Sequence, residues 1–530
     1  MTARPRTQTR AFLFLAAATY LAYGGPRIAS LGFYRDDWRG LWLMTSAGSR
    51  LGAVRALAAQ PGIMRRPLDV LLSSIPFMIF GARPLGWFVV IAALNGLGAF
   101  AVYRILRKYR TGETRALLGA AVYLAYPSKD TALFWSGFIN GPFAILAFLW
   151  GYLLHLDFVE TPRPWKAAAA CLCFVACFAS YDSCLFLLPI LLITPDGSSG
   201  PERRRLIRST LLLSATTAAV VALRWILMQK ILMPTGLAIS LSHAAYVYLA
   251  GLNANFGPDQ LASTIQGAAR AFARAPLVAA AALLAPALVL FGGARENRGD
   301  SGEDRAALRR LVALGAAIYV LGYAPIAISL YLPAPTAEEN RLNIVPAVGI
   351  ALALGGWVAL RRRTRLSEAL AAFFAGGLLA ASVGFSASWA EASRRRLDVR
   401  DLVVRRLPEW PRGDALFLRL PELHVDGRAA VFDNESTLTA AVRLWTGDAE
   451  RRALVISPGV QFLPEGARLD GGAPFAYNQL AILDGNTGAL KVHPLYEDCR
   501  GLVIPPNVHN RFAALIRAFL ARVRPAEQIL

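Results

Sequence analysis

Residues 11–38 read AFLFLAAATYLAYGGPRIASLGFYRDDW, and the break inside this stretch decides the fold. An apolar run from Ala11 to about Leu31 follows a basic flank of Arg4, Arg6 and Arg10. It stops at Phe33-Tyr34-Arg35-Asp36-Asp37-Trp38. A cleaved signal peptide also has a basic flank, but this run is about as long as the ~20 residues that a membrane span needs, and many more apolar runs follow. The reading is a retained helix with its N-terminus in the cytoplasm and an acidic pair just outside the first span.

Working outward, the 530 residues are 55% hydrophobic and 17% charged, with a mean hydropathy of +0.42. Soluble domains carry roughly 25% charged residues, so lipid is the expected solvent. The net charge of +21 does not point to nucleic acid, because of where it lies. From Trp389 to the end there are 19 Lys and Arg against 17 Asp and Glu, so almost all of the excess sits between apolar runs. That is the pattern of the positive-inside rule. The spans drawn on this basis are 11–31, 86–106, 115–127, 132–154, 166–181, 183–195, 209–230, 274–292, 309–330, 343–360 and 367–388. They make a polytopic α-helical membrane protein of about eleven transmembrane helices. Leu68–Phe80 is too short to cross and is expected to lie at the outer surface. Basic clusters at 107–110, 163–166, 203–208, 295–310 and 361–365 then fall on the N-terminal, cytoplasmic side.

Two parts follow. Residues 1–390 are expected to form a transmembrane module in the plasma (inner) membrane, and residues 391–530 a soluble extracytoplasmic domain. In the latter, strand-like runs Ala415–Leu420 and Ala429–Phe432 alternate with helical stretches Ser436–Trp445 and Asn510–Arg522, separated by turn signals. A small C-terminal α/β or α+β domain is expected. The spacing Cys171, Cys173, Cys177 has no accompanying histidine and reads as apolar packing rather than metal ligation.

Ionisable residues near hydrocarbon cost roughly 2.5–3.5 kcal/mol at a helix centre and so call for a reason. The outer-side set is Asp36, Asp37, Arg65, Arg66, Lys129, Asp130, Asp182, Glu338, Glu339 and Arg341. Adjacent carboxylates repel, which suits a general base beside a positioning or cation-binding neighbour. An aspartate at the start of a helix is equally a common cap. Arg66 precedes Pro67 and presents a fork of donors suited to phosphate, or serves as an interfacial anchor. Lys129 and Asp130 pair with each other or meet a lipid phosphate. Asp182 falls between two short apolar runs. Arg341, in Glu338-Glu339-Asn340-Arg341, pairs with the glutamates or holds a phosphate leaving group.

Taken in order, these pieces resemble the GT-C glycosyltransferases, especially the protein O-mannosyltransferase type (family 39). The resemblance runs over roughly residues 10–390. It is carried by Asp36-Asp37, Arg66-Pro67-Leu68, Asn95 within a span, and Leu124-Ala125-Tyr126-Pro127 followed by Trp135-Ser136-Gly137. Ser180-Tyr181-Asp182 and Asn340-Arg341-Leu342 leading to Pro346 complete it. Ser128-Lys129-Asp130 departs from the usual histidine before the acid, and the tail shows no tetratricopeptide repeats. The resemblance implies transfer of a hexosyl or pentosyl group from a polyprenyl-phosphate sugar donor to an acceptor hydroxyl at the outer membrane face, with inversion. The acceptor is a protein, lipid or polysaccharide. Asp36 or Asp37 is then the catalytic base, and Arg66, Lys129, Asp130, Asp182 and Arg341 bind substrate. Some relatives use a divalent metal such as Mg or Mn and others use none, so the metal is left open. The rival from another class is a transporter or lipid flippase, which short discontinuous helices also suit, although no inverted repeat is visible.

Overall fold

Pro84 begins and Arg107-Lys108 end an unbroken 25-residue helix in the computed structural model of this chain. Its limits follow from its chemistry: proline needs no N–H partner in the first turn, and basic side chains favour the negative end of the helix dipole. At ~1.5 Å per residue it reaches ~37 Å, more than the ~30 Å of a hydrocarbon core. The structure describes residues 5–60, 66–196, 200–228, 241–292, 302–329, 331–361, 364–457, 460–469, 473–500 and 502. Among them six helices are long and apolar enough to cross a membrane: Pro84–Lys108, Ser136–Glu160, Gly200–Arg224, Asp304–Ala327, Glu338–Leu360 and Arg365–Glu409. Other expected spans take shorter forms, with helices Pro5–Ala22, Glu113–Ala125, Pro164–Ser180 and Pro276–Gly292. The expected surface segment is the helix Pro67–Phe80.

The run expected at 183–195 is not an α-helix but an 11-residue 3-10 helix, Asp182–Leu192, with Pro189 inside it. Proline removes an N–H from the α-helical ladder and crowds the preceding turn. The tighter coil rises ~2.0 Å per residue, so it reaches farther than an α-helix of the same length. Its last carbonyls do not go unsatisfied. His155 Nε2 lies 2.9 Å from the Leu191 oxygen, and the Tyr109 and Tyr152 hydroxyls donate to the Ile193 oxygen at 2.7 and 2.6 Å.

Two helices lie where no span is drawn, Leu241–Phe256 and Pro258–Arg274. In the second, Gln260, Gly267 and Ala271 are buried while Leu261, Ile265 and Phe272 are exposed. An apolar run does not mark this helix because Asp259, Arg270 and Arg274 are interleaved with its apolar residues. Close approach depends on glycine at one crossing: a Cβ on Gly384 would sit 1.8 Å from the Gly267 carbonyl oxygen. Such small-residue contacts are the means by which apolar helices pack where no hydrophobic effect separates helix from lipid.

The chain divides into two compact units, residues 1–29 with 58–387, and residues 30–57 with 388–530. The segment carrying the acidic pair therefore folds with the C-terminal residues. The long helix Arg365–Arg406 passes from one unit's residues into the other's, continuing beyond the end of its apolar stretch near residue 388. Hydropathy marks where the lipid-like composition ends, not where helical hydrogen bonding does.

In the second unit, β1 (Ala415–Arg419), β2 (Arg452–Val455), β3 (Leu480–Asp484) and β4 (Leu490–Val492) form a sheet of order β2-β1-β3-β4. β1 runs parallel to β2 and β3, and β4 is antiparallel to β3. β1 has Ala415, Leu416, Phe417 and Leu418 all buried, as expected of a central parallel strand. The helix Glu435–Thr446 connects the β1 side of this sheet to β2, capped by Asn434, whose side chain accepts from the Thr437 N–H at 2.9 Å. The expected helix Asn510–Arg522 lies outside the described residues.

Candidate functional site

In the first unit a row of arginines lies on aromatic rings. Arg66 stands immediately before the helix Pro67–Phe80, with its guanidinium 4.5 Å over the Tyr181 ring and Nε 3.9 Å from Asp182 Oδ2. Asp182 opens the 3-10 helix with its side chain 50% exposed, and Arg224 holds it through both terminal nitrogens. Arg224 Nη1 also donates to the Phe178 carbonyl at 2.7 Å. From Tyr181 the aromatic row continues edge-to-face to Phe138 at 5.4 Å, which stacks on Trp135 at 6.2 Å. Arg341 lies 5.5 Å over Trp135 and 5.6 Å over Tyr331, paired with Glu338 and within electrostatic reach of the Tyr181 phenol. Arginine suits such a row because its planar cation stacks on rings while its edge keeps donors for carboxylate or phosphate.

The geometry around Arg341 follows from a short 3-10 helix, Glu338–Asn343. Residues three apart eclipse in this coil, so Glu338 and Arg341 share one face and Asn340 and Asn343 another. The asparagine face is buried and clamps the Tyr126–Thr131 turn. Asn340 Oδ1 accepts from the Thr131 hydroxyl at 3.1 Å, and Asn343 Nδ2 donates to the Ser128 oxygen at 2.9 Å. Tyr323 and Asn255 extend the network, with Ser128 Oγ donating to Asn255 Oδ1 at 2.7 Å. Asn95 anchors the next turn by donating to the Ala132 oxygen at 2.9 Å. The motifs at 124–130 and 340–346 are thus framework, and Arg341 is the member that faces away from it.

Lys129 and Asp130 belong to that framework. Lys129 is 0% exposed, its ammonium donating to the Leu124 carbonyl at 3.3 Å and lying 4.7 Å over the Tyr123 ring. Burial lowers it to about 7, only partly offset by Asp130, itself buried. Asp69, in the first turn after Arg66, accepts from Asn140 Nδ2 at 3.0 Å. Burial pushes its carboxyl up to about 6, against the pull of Arg66 and Asn140.

Asp36 and Asp37 belong to the second unit and differ sharply from each other. Asp37 is 8% exposed, and its Oδ2 accepts from the Tyr34 N–H at 2.7 Å while its own N–H donates to the Tyr34 oxygen at 2.9 Å. Asp36 is exposed at the first position of the helix Asp36–Ser46, where the dipole favours an anion. Between Tyr34 and Asp36, Arg35 has φ 45° and ψ −121°, a conformation that costs a non-glycine residue on the order of 1–3 kcal/mol. Its guanidinium pairs with Asp433 at 3.1 Å.

Arg66, Asp182 and Arg341 are therefore brought together, while Lys129-Asp130 lies in the packed turn beneath the Asn340–Asn343 clamp. Arg65 lies outside the described residues. Sequence reasoning missed Arg224 and Asp69, both sitting in stretches read simply as apolar. A lone arginine inside the run 209–230 was the available signal. Among the described residues no group of three or more His, Cys, Asp and Glu side chains is gathered in a way that could hold a metal ion.

No family model matches this chain, and no curated protein sequence matches it. Chains of known structure do. One is the crystal structure of ArnT from Cupriavidus metallidurans bound to undecaprenyl phosphate, at a TM-score of 0.41 and 12% identity, covering 84% of this chain and 85% of that one. No residue role passes from that protein to this one at such a likeness.

Proposed function

We propose that this protein is an integral membrane glycosyltransferase that moves a sugar from a polyprenyl-phosphate donor to an acceptor hydroxyl at the outer membrane face. The observation that carries this reading is the arginine row of the first unit. Arg66 lies over Tyr181 and Arg341 over Trp135 and Tyr331, while Arg224 grips Asp182 next to Tyr181, in a unit built from helices apolar enough to cross a membrane. A lipid-linked phosphate cannot leave the bilayer, so its charge must be met by cations on the protein near the interface. The ordered motifs of the GT-C type over roughly residues 10–390 support the same reading.

In this reaction the acceptor oxygen forms a bond to the anomeric carbon as the bond from that carbon to the phosphate oxygen breaks. Polyprenyl phosphate leaves with the bonding electron pair, and the hydroxyl proton passes to a carboxylate. Direct displacement inverts the anomeric configuration. Asp36 is the base and Asp37 its structural neighbour, because Asp37 is buried and engaged by the Tyr34 N–H whereas Asp36 is exposed. The arginines hold the phosphate of the bound donor and keep hold of it as it leaves.

The test is release of polyprenyl phosphate by the purified chain in lipid nanodiscs supplied with a panel of polyprenyl-phosphate sugars and hydroxyl acceptors. Release that disappears in Asp36→Asn supports the proposal. No release from any donor, together with movement of lipid or solute across vesicles containing the protein, overturns it in favour of a transporter.

A further inference from the structure

Holding a base in place is a problem separate from supplying it, and the second unit is built around that problem. The Tyr34–Trp38 turn is gripped from several directions within the unit. Tyr34 donates its hydroxyl to the Trp389 oxygen at 2.6 Å and packs edge-to-face on the Trp389 ring at 4.6 Å. Trp38 lies against Phe432 and Trp445, at 6.4 and 5.6 Å. Arg35 reaches Asp433, which is 8% exposed and whose same oxygen lies 3.4 Å from His424 Nε2.

Arg396, from the helix Arg365–Arg406, closes the arrangement. It is 2% exposed, its guanidinium lies 3.7 Å over the Tyr34 ring, and its Nε donates to the Ala392 oxygen at 3.1 Å. Its two terminal nitrogens make no hydrogen bond of normal geometry among the described residues. A buried cation left this way needs compensation, which Tyr34 beneath it supplies first and Asp37 and Asp433 after it. Asp37 is itself held by the Tyr34 N–H, which donates to its Oδ2 at 2.7 Å.

The register of the helix start is what is at stake. The two aspartates are adjacent, so a slip of one residue would carry either Asp36 into the buried place of Asp37 or Asp37 into the exposed place of Asp36. We propose that Asp433 and Arg396 are positioning residues for Asp36, and that the C-terminal segment serves the transfer step by holding the strained Arg35 turn in one register. This rests on the reading of Asp36 as the base.

The experiment uses the full chain in nanodiscs, with two readouts. One is amide hydrogen exchange of residues 34–40; the other is kcat and donor KM for polyprenyl phosphate release. Asp433→Asn is expected to speed exchange in that segment at least tenfold and to lower kcat at least tenfold, with KM within twofold. Combined with Asp36→Asn it is expected to be no slower than Asp36→Asn alone, because it acts through that carboxylate. Arg35→Gly tolerates the positive φ and removes the ion pair, so it is expected to give the same loss of kcat with an unchanged melting temperature. Wild-type exchange rates in both variants would overturn the positioning role, as would losses that multiply with Asp36→Asn. A wild-type chain that releases no polyprenyl phosphate would instead sink the enzymatic reading, and the exchange measurement would still decide whether these residues hold the turn.

Discussion

The arginine row of the first unit and the acidic turn of the second unit both concentrate charge, but they spend it differently. In the row the charged side chains are partly exposed, with Arg66 and Arg341 each balanced by a carboxylate and a ring, Arg224 balanced by Asp182, and a positive φ of 64° at Ala337 just before Glu338. In the turn, the backbone is strained at Arg35, and Asp37, Arg396 and Asp433 are sequestered while one carboxylate stays exposed. The first arrangement suits capture of a mobile anion, which can displace Asp182 or Glu338 from their arginines. The second suits a group that must not move. Charge that is exposed and exchangeable binds, whereas charge that is buried and fixed positions.

That contrast breaks most readily at the acidic pair. Asp36→Asn is expected to lower kcat by ~10²–10⁴ with no loss of folded protein. Asp37→Asn is expected to lower the melting temperature, by a stability loss of about 1–3 kcal/mol, since a buried acceptor of a backbone N–H is weakened. Turnover assays paired with thermal melts separate the two, and an interchange of the two outcomes would reassign the base. Next in size, Arg66→Ala and Arg341→Ala are expected to raise donor KM by roughly tenfold, as loss of a charge-assisted hydrogen bond predicts, with kcat changed less. A fall in kcat with KM unchanged would show that the row acts only in the transition state.

Smaller effects concern pH. Asp69 has a folded-state pKa raised to about 6 from 3.8, so it adds stability that is full below about pH 4 and lost as pH rises through 6. Asp433 is held below its usual value, chiefly because His424 and Arg35 outweigh its burial. Its contribution is therefore present above 3.8 and lost as pH falls through its lower folded value. Melting curves across pH 3–7 are expected to show the first trend abolished in Asp69→Asn and the second in Asp433→Asn. Smallest of all, Arg224→Lys keeps the charge but not the two-pronged grip on Asp182, and a change in donor KM of only a few-fold is expected.

Much of the helical part was legible, because long apolar runs bounded by proline and basic residues admit few other structures. Arg66, Asp182 and Arg341 could be singled out since each interrupts or flanks an apolar run. Pairing was harder to read. That Arg224 reaches Asp182 is a contact between residues 42 apart in sequence, which no local pattern encodes. Lys129 looked like a surface cation because it follows a Tyr-Pro turn, yet the Asn340–Asn343 clamp packs that turn inward. The acidic pair was visible, but its membership of the C-terminal unit was not, since contacts between residues 34 and 389 leave no periodic trace.

The 3-10 helix Asp182–Leu192 acts as a ruler for the site. Eleven residues at ~2.0 Å rise span about 5 Å more than the same residues would in an α-helix, and Pro189 disfavours the change from one to the other. The distance from the Tyr109–Tyr152 anchor to Asp182 is consequently graduated in 3-10 steps. A residue deleted between Asp182 and Pro189 would draw the carboxylate back from Arg66 and Arg224 by about one such step, leaving two cations without their resting partner.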